Sequence, residues 1–184
     1  MSSIIVSEAV IYISSQICFK LNYLTSNPMK HSMKNYFISS FGAFICLSVL
    51  SYLNNAYQGS LWLIPPFGAS MVLVMAVYES PLASPKNVFF GHLIAASCGV
   101  FVYFFFGLHP LSIGFAVGLA IFLMSITKTI HPPAGANPII AIMGGEDLFF
   151  VLMPVAIGAG FIIIFAIIFH RLVGQKYPCD KKNI

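Results

Sequence analysis

Five side chains in this sequence have types and settings that could do chemistry: His131, His92, Ser70, Asn137 and Lys128. His131 opens the stretch His131-Pro132-Pro133-Ala134-Gly135-Ala136-Asn137-Pro138, inside an otherwise apolar run. An imidazole there could donate to an anion or change charge near neutral pH. It could equally hydrogen-bond a freed carbonyl and lock the break. Lys128, three residues earlier, falls on the same face of a helix and could attract an anion, or snorkel to an interface. His92 lies within an apolar stretch, where a titratable group is costly and often functional. It is a candidate proton relay or an interhelical hydrogen-bonding group. Ser70 and Asn137 could each contact a ligand or cap a helix. Gly68, Ala69, Gly135 and Ala136 carry no bulk, so a small ligand could approach the backbone beside Pro66 and Pro133.

These types suggest binding and moving a small ion, not breaking bonds. Glu79, Glu146 and Asp147 stand at the edges of apolar runs, with no paired carboxylate between them. Neither His-Glu-x-x-His nor Gly-x-Ser-x-Gly occurs, so no enzyme is expected. Cys18, Cys46, Cys98 and Cys179 are far apart without CxxC spacing, which reads as packing and not as a zinc site or a disulfide framework. No cofactor and no metal are expected.

The elements that must position these residues are membrane helices. Of 184 residues, 59% are hydrophobic and 8% charged, with a mean hydropathy of +0.92. That composition excludes an ordinary soluble domain. A net charge of +4 from scattered basic residues speaks to membrane orientation and excludes a nucleic-acid stripe. Spans are expected at about 36–53, 88–106, 111–126 and 148–169. Residues 1–34 read as an interfacial or partly disordered segment, 35–173 as the transmembrane domain, and 174–184 as a polar tail. Tyr57 and Trp62 read as an interfacial anchor, and His109 and His170 as interface residues.

The two remaining apolar stretches are interrupted. Prolines 132, 133 and 138 lack N–H donors and push their predecessors out of helical geometry. One helix should stop near Ile130 and a short one should run from Pro133 toward Met143, with free N–H groups and a positive pole at membrane depth. Pro65-Pro66-Phe67-Gly68-Ala69-Ser70 matches Pro132-Pro133-Ala134-Gly135-Ala136-Asn137, and the same register carries Glu79 onto Glu146 and Gly91 onto Gly158. The chain is therefore an all-α polytopic helix bundle of two repeats, about 36–106 and 111–170, each with a proline-broken helix. Paired breaks of this kind point to a transport site at the repeat interface. Two topologies stay open. Six crossings make the halves inverted and put most basic residues on one face; four crossings plus two re-entrant segments separate Lys86 and Lys128 from the rest.

His131-Pro132-Pro133-Ala134-Gly135-Ala136 resembles the signature of the HPP integral membrane family. Residues 66–70, 80–87 and the Gly91-His92 pair are similar to its other blocks, and the likeness spans about 34–171. The resemblance implies a transporter-like fold. Members from cyanobacteria and chloroplasts are linked to nitrite transport. The resulting expectation is a transporter or channel for a small inorganic anion, nitrite first, held at the two broken-helix N-termini. The alternative is a non-transporting membrane scaffold or sensor. The expected setting is the lipid bilayer of a bacterial cytoplasmic membrane with both termini cytoplasmic, no nucleic-acid partner, and a homo-oligomer as a possible assembly.

Overall fold

The structure is a computed structural model that describes residues 33–56 and 62–178. The readings placed on 1–32, on Tyr57 and on 179–184 lie outside the described residues. Two units divide the chain, Met1–Tyr36 and Phe37–Ile184. Among the described residues the first contributes only the opening turn of a helix, and the second holds every later element.

Among the described residues every regular element is helical. Helix α1 is Met33–Ala56. After the extended residues 62–64 comes α2, Pro65–Ala76, whose second half, Val72–Ala76, is π-helical. A 3-10 turn, Pro81–Ala83, leads into α3, Pro85–Phe106. Helix α4 is Pro110–Ile126. The second break is a 3-10 turn, Pro132–Ala136, followed by α5, Asn137–Gly144. Helix α6, Leu148–Leu172, closes the unit, with a π-helical stretch at Val151–Ala156 around Pro154.

Local sequence accounts for most of these boundaries. Proline occupies the first position of α2, α3 and α4, where its missing donor costs nothing. The Ser84 hydroxyl accepts from Asn87 N at the head of α3, and His109 Nδ1 accepts from Leu111 N at the head of α4. Helix α4 ends in a Schellman closure: Thr129 N donates to Met124 O at 2.9 Å and Lys128 N to Ser125 O at 3.2 Å. Lys128 takes the left-handed position, φ +55°, that usually holds glycine.

Helices α1, α3 and α6 are long and apolar enough to cross a bilayer. Helix α4, at 17 residues, is about 26 Å long and near the lower limit. Helix α2 is about 18 Å long, short of the roughly 30 Å hydrocarbon core, and is preceded by residues 62–64, which have no regular structure. Contacts show how the broken segments run. Along α3, Asn87 Nδ2 donates to Ile130 O at 2.8 Å, Asn137 Nδ2 donates to His92 O at 3.0 Å, Gly99 abuts Pro138, and Tyr103 abuts Gly145. The second broken segment thus runs beside α3 and parallel to it for about 24 Å. The first runs antiparallel to α1: Trp62 N donates to Asn54 Oδ1 near the end of α1, and Ser39 Oγ donates to Met75 O near its start. Each broken segment therefore lies alongside a full-length helix, the second parallel to α3 and the first antiparallel to α1.

Glycines let the halves interlock. A Cβ on Gly91 of α3 would stand 2.7 Å from His131 Cβ, in the other half's break. Its repeat counterpart, Gly158 of α6, would put a Cβ into the Phe67 ring in the first half's break. The core between them is built of Phe67, Met71, Val74, Val88, Ala96, Val155, Ala159 and Ile162. The packed unit also continues past 173. Tyr177 is buried, and its hydroxyl donates to Ala83 O at 2.8 Å.

Candidate functional site

Four of the residues singled out in the sequence meet inside the bundle. Ser70, His92, His131 and Asn137 are each 0% exposed. Ser70 Oγ lies 2.8 Å from His92 Nε2, 2.9 Å from His131 Nε2 and 3.1 Å from Pro66 O. Asn137 Nδ2 lies 3.0 Å from His92 Nδ1 and 3.0 Å from His92 O. His131 Nδ1 lies 2.9 Å from Leu82 O. The two imidazoles meet edge to face, centroids 5.0 Å apart, and the Phe67 ring closes His92 from another side. The cluster stands two turns into α3, about 10 Å from its start. It joins both broken segments to α3.

The acceptors assign the protons. A carbonyl can only accept, so Leu82 O requires a hydrogen on His131 Nδ1. His92 O likewise fixes the Asn137 amide with its NH2 inward, and that NH2 makes His92 Nδ1 an acceptor. Neutral His92 then carries its hydrogen on Nε2 and donates it to Ser70 Oγ. Ser70 donates its own hydrogen to the bare Nε2 of His131. The result is a directed chain: Asn137 to His92 to Ser70 to His131 to Leu82 O. Within it, only Asn137 Oδ1 has no hydrogen-bond partner.

The turn at Pro81–Ala83 holds this chain in place from one membrane face. Leu82 O receives His131, Ala83 O receives Tyr177, and Ser84 Oγ donates to Asn87 Oδ1 at 2.9 Å while Asn87 reaches Ile130 O. A second polar tie lies nearby. His170 is 1% exposed, with Nε2 2.8 Å from Val74 O and Nδ1 2.7 Å from Gln175 Oε1. The π-helical turn frees that Val74 carbonyl from the regular ladder. His170 was expected at an interface; it lies near the membrane edge but wholly inside protein. Leu82, Asn87 and Tyr177 carry no sequence signal of their role, since each acts through a backbone group or a long-range contact.

The other expected residues are placed differently. Lys128 is exposed on its turn, apart from buried His131. Gly68, Gly135 and Ala136 are half-buried and Ala69 is exposed, so the four small residues do not line the cluster. Open space surrounds the Cβ positions of Gly68 and Gly135. The expected free backbone donors are fewer than the breaks suggest. Pro65, Pro66, Pro132 and Pro133 have no N–H, and the next residues are already bonded, Phe67 N to Ile64 O and Ala134 N to His131 O, both at 3.0 Å. The double prolines that break each helix thus remove its first three donors.

Three long apolar helices packed with two proline-broken segments, and a buried polar cluster where the breaks meet, define a polytopic helical membrane protein. The chain belongs to the HPP transmembrane family, whose domain, described as "HPP, transmembrane region", matches residues 28–178. Among its relatives are two transmembrane proteins of Dictyostelium discoideum. One is 33% identical over 77% of this chain and 48% of its own length, the other 30% identical over 77% and 53%. The chain thus spans about half the length of the curated relatives it matches. No solved structure matches it.

Proposed function

We propose that this protein is a transporter for a small inorganic anion, with nitrite the best single candidate, and not an enzyme. The observation that carries the reading is the position of the Ser70–His92–His131–Asn137 cluster. Buried ionisable groups between crossing segments are expensive unless they serve a pathway, and this cluster joins the two proline-broken segments of an inverted repeat. The same geometry argues that the anion does not travel alone. Neither break offers a backbone donor in its first three positions, and the unpartnered Asn137 Oδ1 repels a bare negative charge. A proton must accompany it, whether as nitrous acid or as nitrite beside a protonated side chain.

Lys86, Lys128, Arg171 and Lys176 fall on the face from which α3 starts, and Glu146 and Asp147 on the opposite one. The positive-inside bias makes the basic face cytoplasmic. In a bacterial cell the membrane is the cytoplasmic one.

The test is flux into liposomes that hold the purified protein and an internal nitrite reporter. Nitrite is expected to enter faster than into empty liposomes, and faster still when the outside is acidified. If nitrite and other small anions cross no faster than in empty liposomes at any pH, the transport reading fails and a scaffold role replaces it.

A further inference from the structure

Ser70 has one hydroxyl hydrogen and two places to put it. His131 Nε2 lies at 2.9 Å and Pro66 O at 3.1 Å. With both imidazoles neutral, the hydrogen points to His131 and the Pro66 carbonyl goes unused by the side chain. If His131 Nε2 gains a proton, it becomes a donor to Ser70 Oγ. The serine oxygen has two lone pairs, so it accepts from His92 and His131 together and turns its own hydrogen to Pro66 O. No hydrogen bond in the cluster is lost. His92 has no such second arrangement. Its only free ring nitrogen, Nδ1, faces the Asn137 amide NH2, which the His92 carbonyl holds in that orientation. A proton on Nδ1 would meet a donor.

We propose that His131 is the proton-binding residue of the transport site, with the Ser70 hydroxyl as the rotor that accommodates the proton and His92 as a neutral, fixed donor. This rests on the transport reading only for its purpose; the proton site stands on the geometry. The proton is added to His131 Nε2 and leaves from the same atom, and the Ser70 hydrogen never leaves its oxygen. Groups facing His131 are the Ser70 hydroxyl on α2, the His92 imidazole on α3 and the Leu82 carbonyl from the 3-10 turn. His92 is the one titratable side chain in that set. Among the described residues no Asp, Glu, Lys or Arg is buried.

A buried imidazolium with no carboxylate beside it is costly. A monovalent anion entering with the proton removes that cost, so the pair crosses with no net charge. Proton and anion are then linked at one residue, and the coupling is one to one.

Protein labelled with 15N-histidine, in lipid nanodiscs, tests the assignment by ring-nitrogen NMR, with signals assigned through His92→Gln and His170→Gln variants. At high pH the expected pattern is opposite tautomers, hydrogen on Nε2 for His92 and on Nδ1 for His131. On acidification His131 becomes doubly protonated while His92 stays neutral. Ser70→Ala should move the His131 titration to lower pH by removing the acceptor of its new N–H. Matching tautomers, His92 protonating first, or His131 staying neutral wherever the fold persists would each overturn the proposal. If a variant does not fold, the tautomer itself identifies the signal, because among the described histidines His131 is the one whose hydrogen is fixed on Nδ1, whereas His109 and His170 carry theirs on Nε2 as His92 does. Nitrite flux with His131 neutral throughout would refute the proton site and spare the transport reading; the expected titration without flux would do the reverse.

Discussion

Removing the Ser70 oxygen isolates the hub of the buried cluster. In Ser70→Ala, His92 keeps an Nε2–H with nothing to accept it, and His131 keeps a bare Nε2 with nothing to donate to it. Pro66 O retains its helical role, so two groups are orphaned. Each unsatisfied buried polar group costs about 1–3 kcal/mol, which gives about 2–6 kcal/mol for the pair. The cavity left by one oxygen adds little. Water cannot repair the loss in the hydrocarbon region. Against a typical stability of about 5–15 kcal/mol this is a large fraction, and it should be the largest effect of any serine-to-alanine change here. The assay is equilibrium unfolding in mixed micelles. Ser125→Ala is the control, because its hydroxyl is exposed and only back-bonds to Ile121 O; it should lie within about 0.5 kcal/mol of wild type. A Ser70→Ala loss as small as that of Ser125→Ala would refute the hydrogen-bond chain, since both imidazoles would then have partners elsewhere.

Packing and charge give two more expected outcomes. Gly99→Ala places a methyl 2.6 Å from Pro138 Cα, 3.1 Å from Pro138 O and 2.8 Å from Ala141 Cβ, against backbone that has little room to yield. It should cost about 1–3 kcal/mol, whereas Gly114→Ala on α4, in open space, should be neutral or stabilising; equal effects in thermal unfolding would contradict the close approach of α3 and α5. Glu146, on the turn after α5, has its carboxyl pushed above the ordinary carboxylate range by burial and by neighbouring Asp147. Its folded pKa is raised, so stability is fullest while it is protonated and falls as pH rises through that pKa. Glu146→Gln should therefore melt higher than wild type at pH 8, with the gap closing below about pH 4, near the unperturbed value. A gap that is absent at pH 8, or that widens on acidification, would show that the carboxylate is not penalised in the fold.

Much of this architecture is readable because membrane burial writes itself into composition and double prolines write breaks. The spans, both interrupted segments, the repeated double-proline break and the correspondence of Ser70 with Asn137 all rest on local residue types. The meeting of Ser70, His92 and His131 cannot be read that way. It depends on α3 lying beside the second break, and nothing in Gly91-His92 says which helix it faces. Free donors at the breaks are the natural expectation because proline favours a helix start. A single proline leaves later N–H groups open, but two in succession followed by a 3-10 bond remove the first three. Helical spacing groups Lys128 with His131, and that spacing lapses because the helix ends between them in a left-handed turn. The π-helical carbonyl that receives His170 comes from a backbone irregularity with no residue-level signal.

The interlock of the halves also constrains how the protein is made. The first break, with its polar backbone and Ser70, enters the bilayer before α4, the second break and α6 exist. Phe67 then lacks the Gly158 surface it packs against, and Ser70 lacks His131. Until the second half arrives, residues 62–76 are a short, poorly satisfied span that lipid alone cannot hold in its final place. The first half must therefore wait at the insertion machinery, or sit loosely in the membrane, and settle only after the second is threaded. Separate expression of the halves should yield two unstable fragments that accumulate when made together, because each carries the other's missing wall.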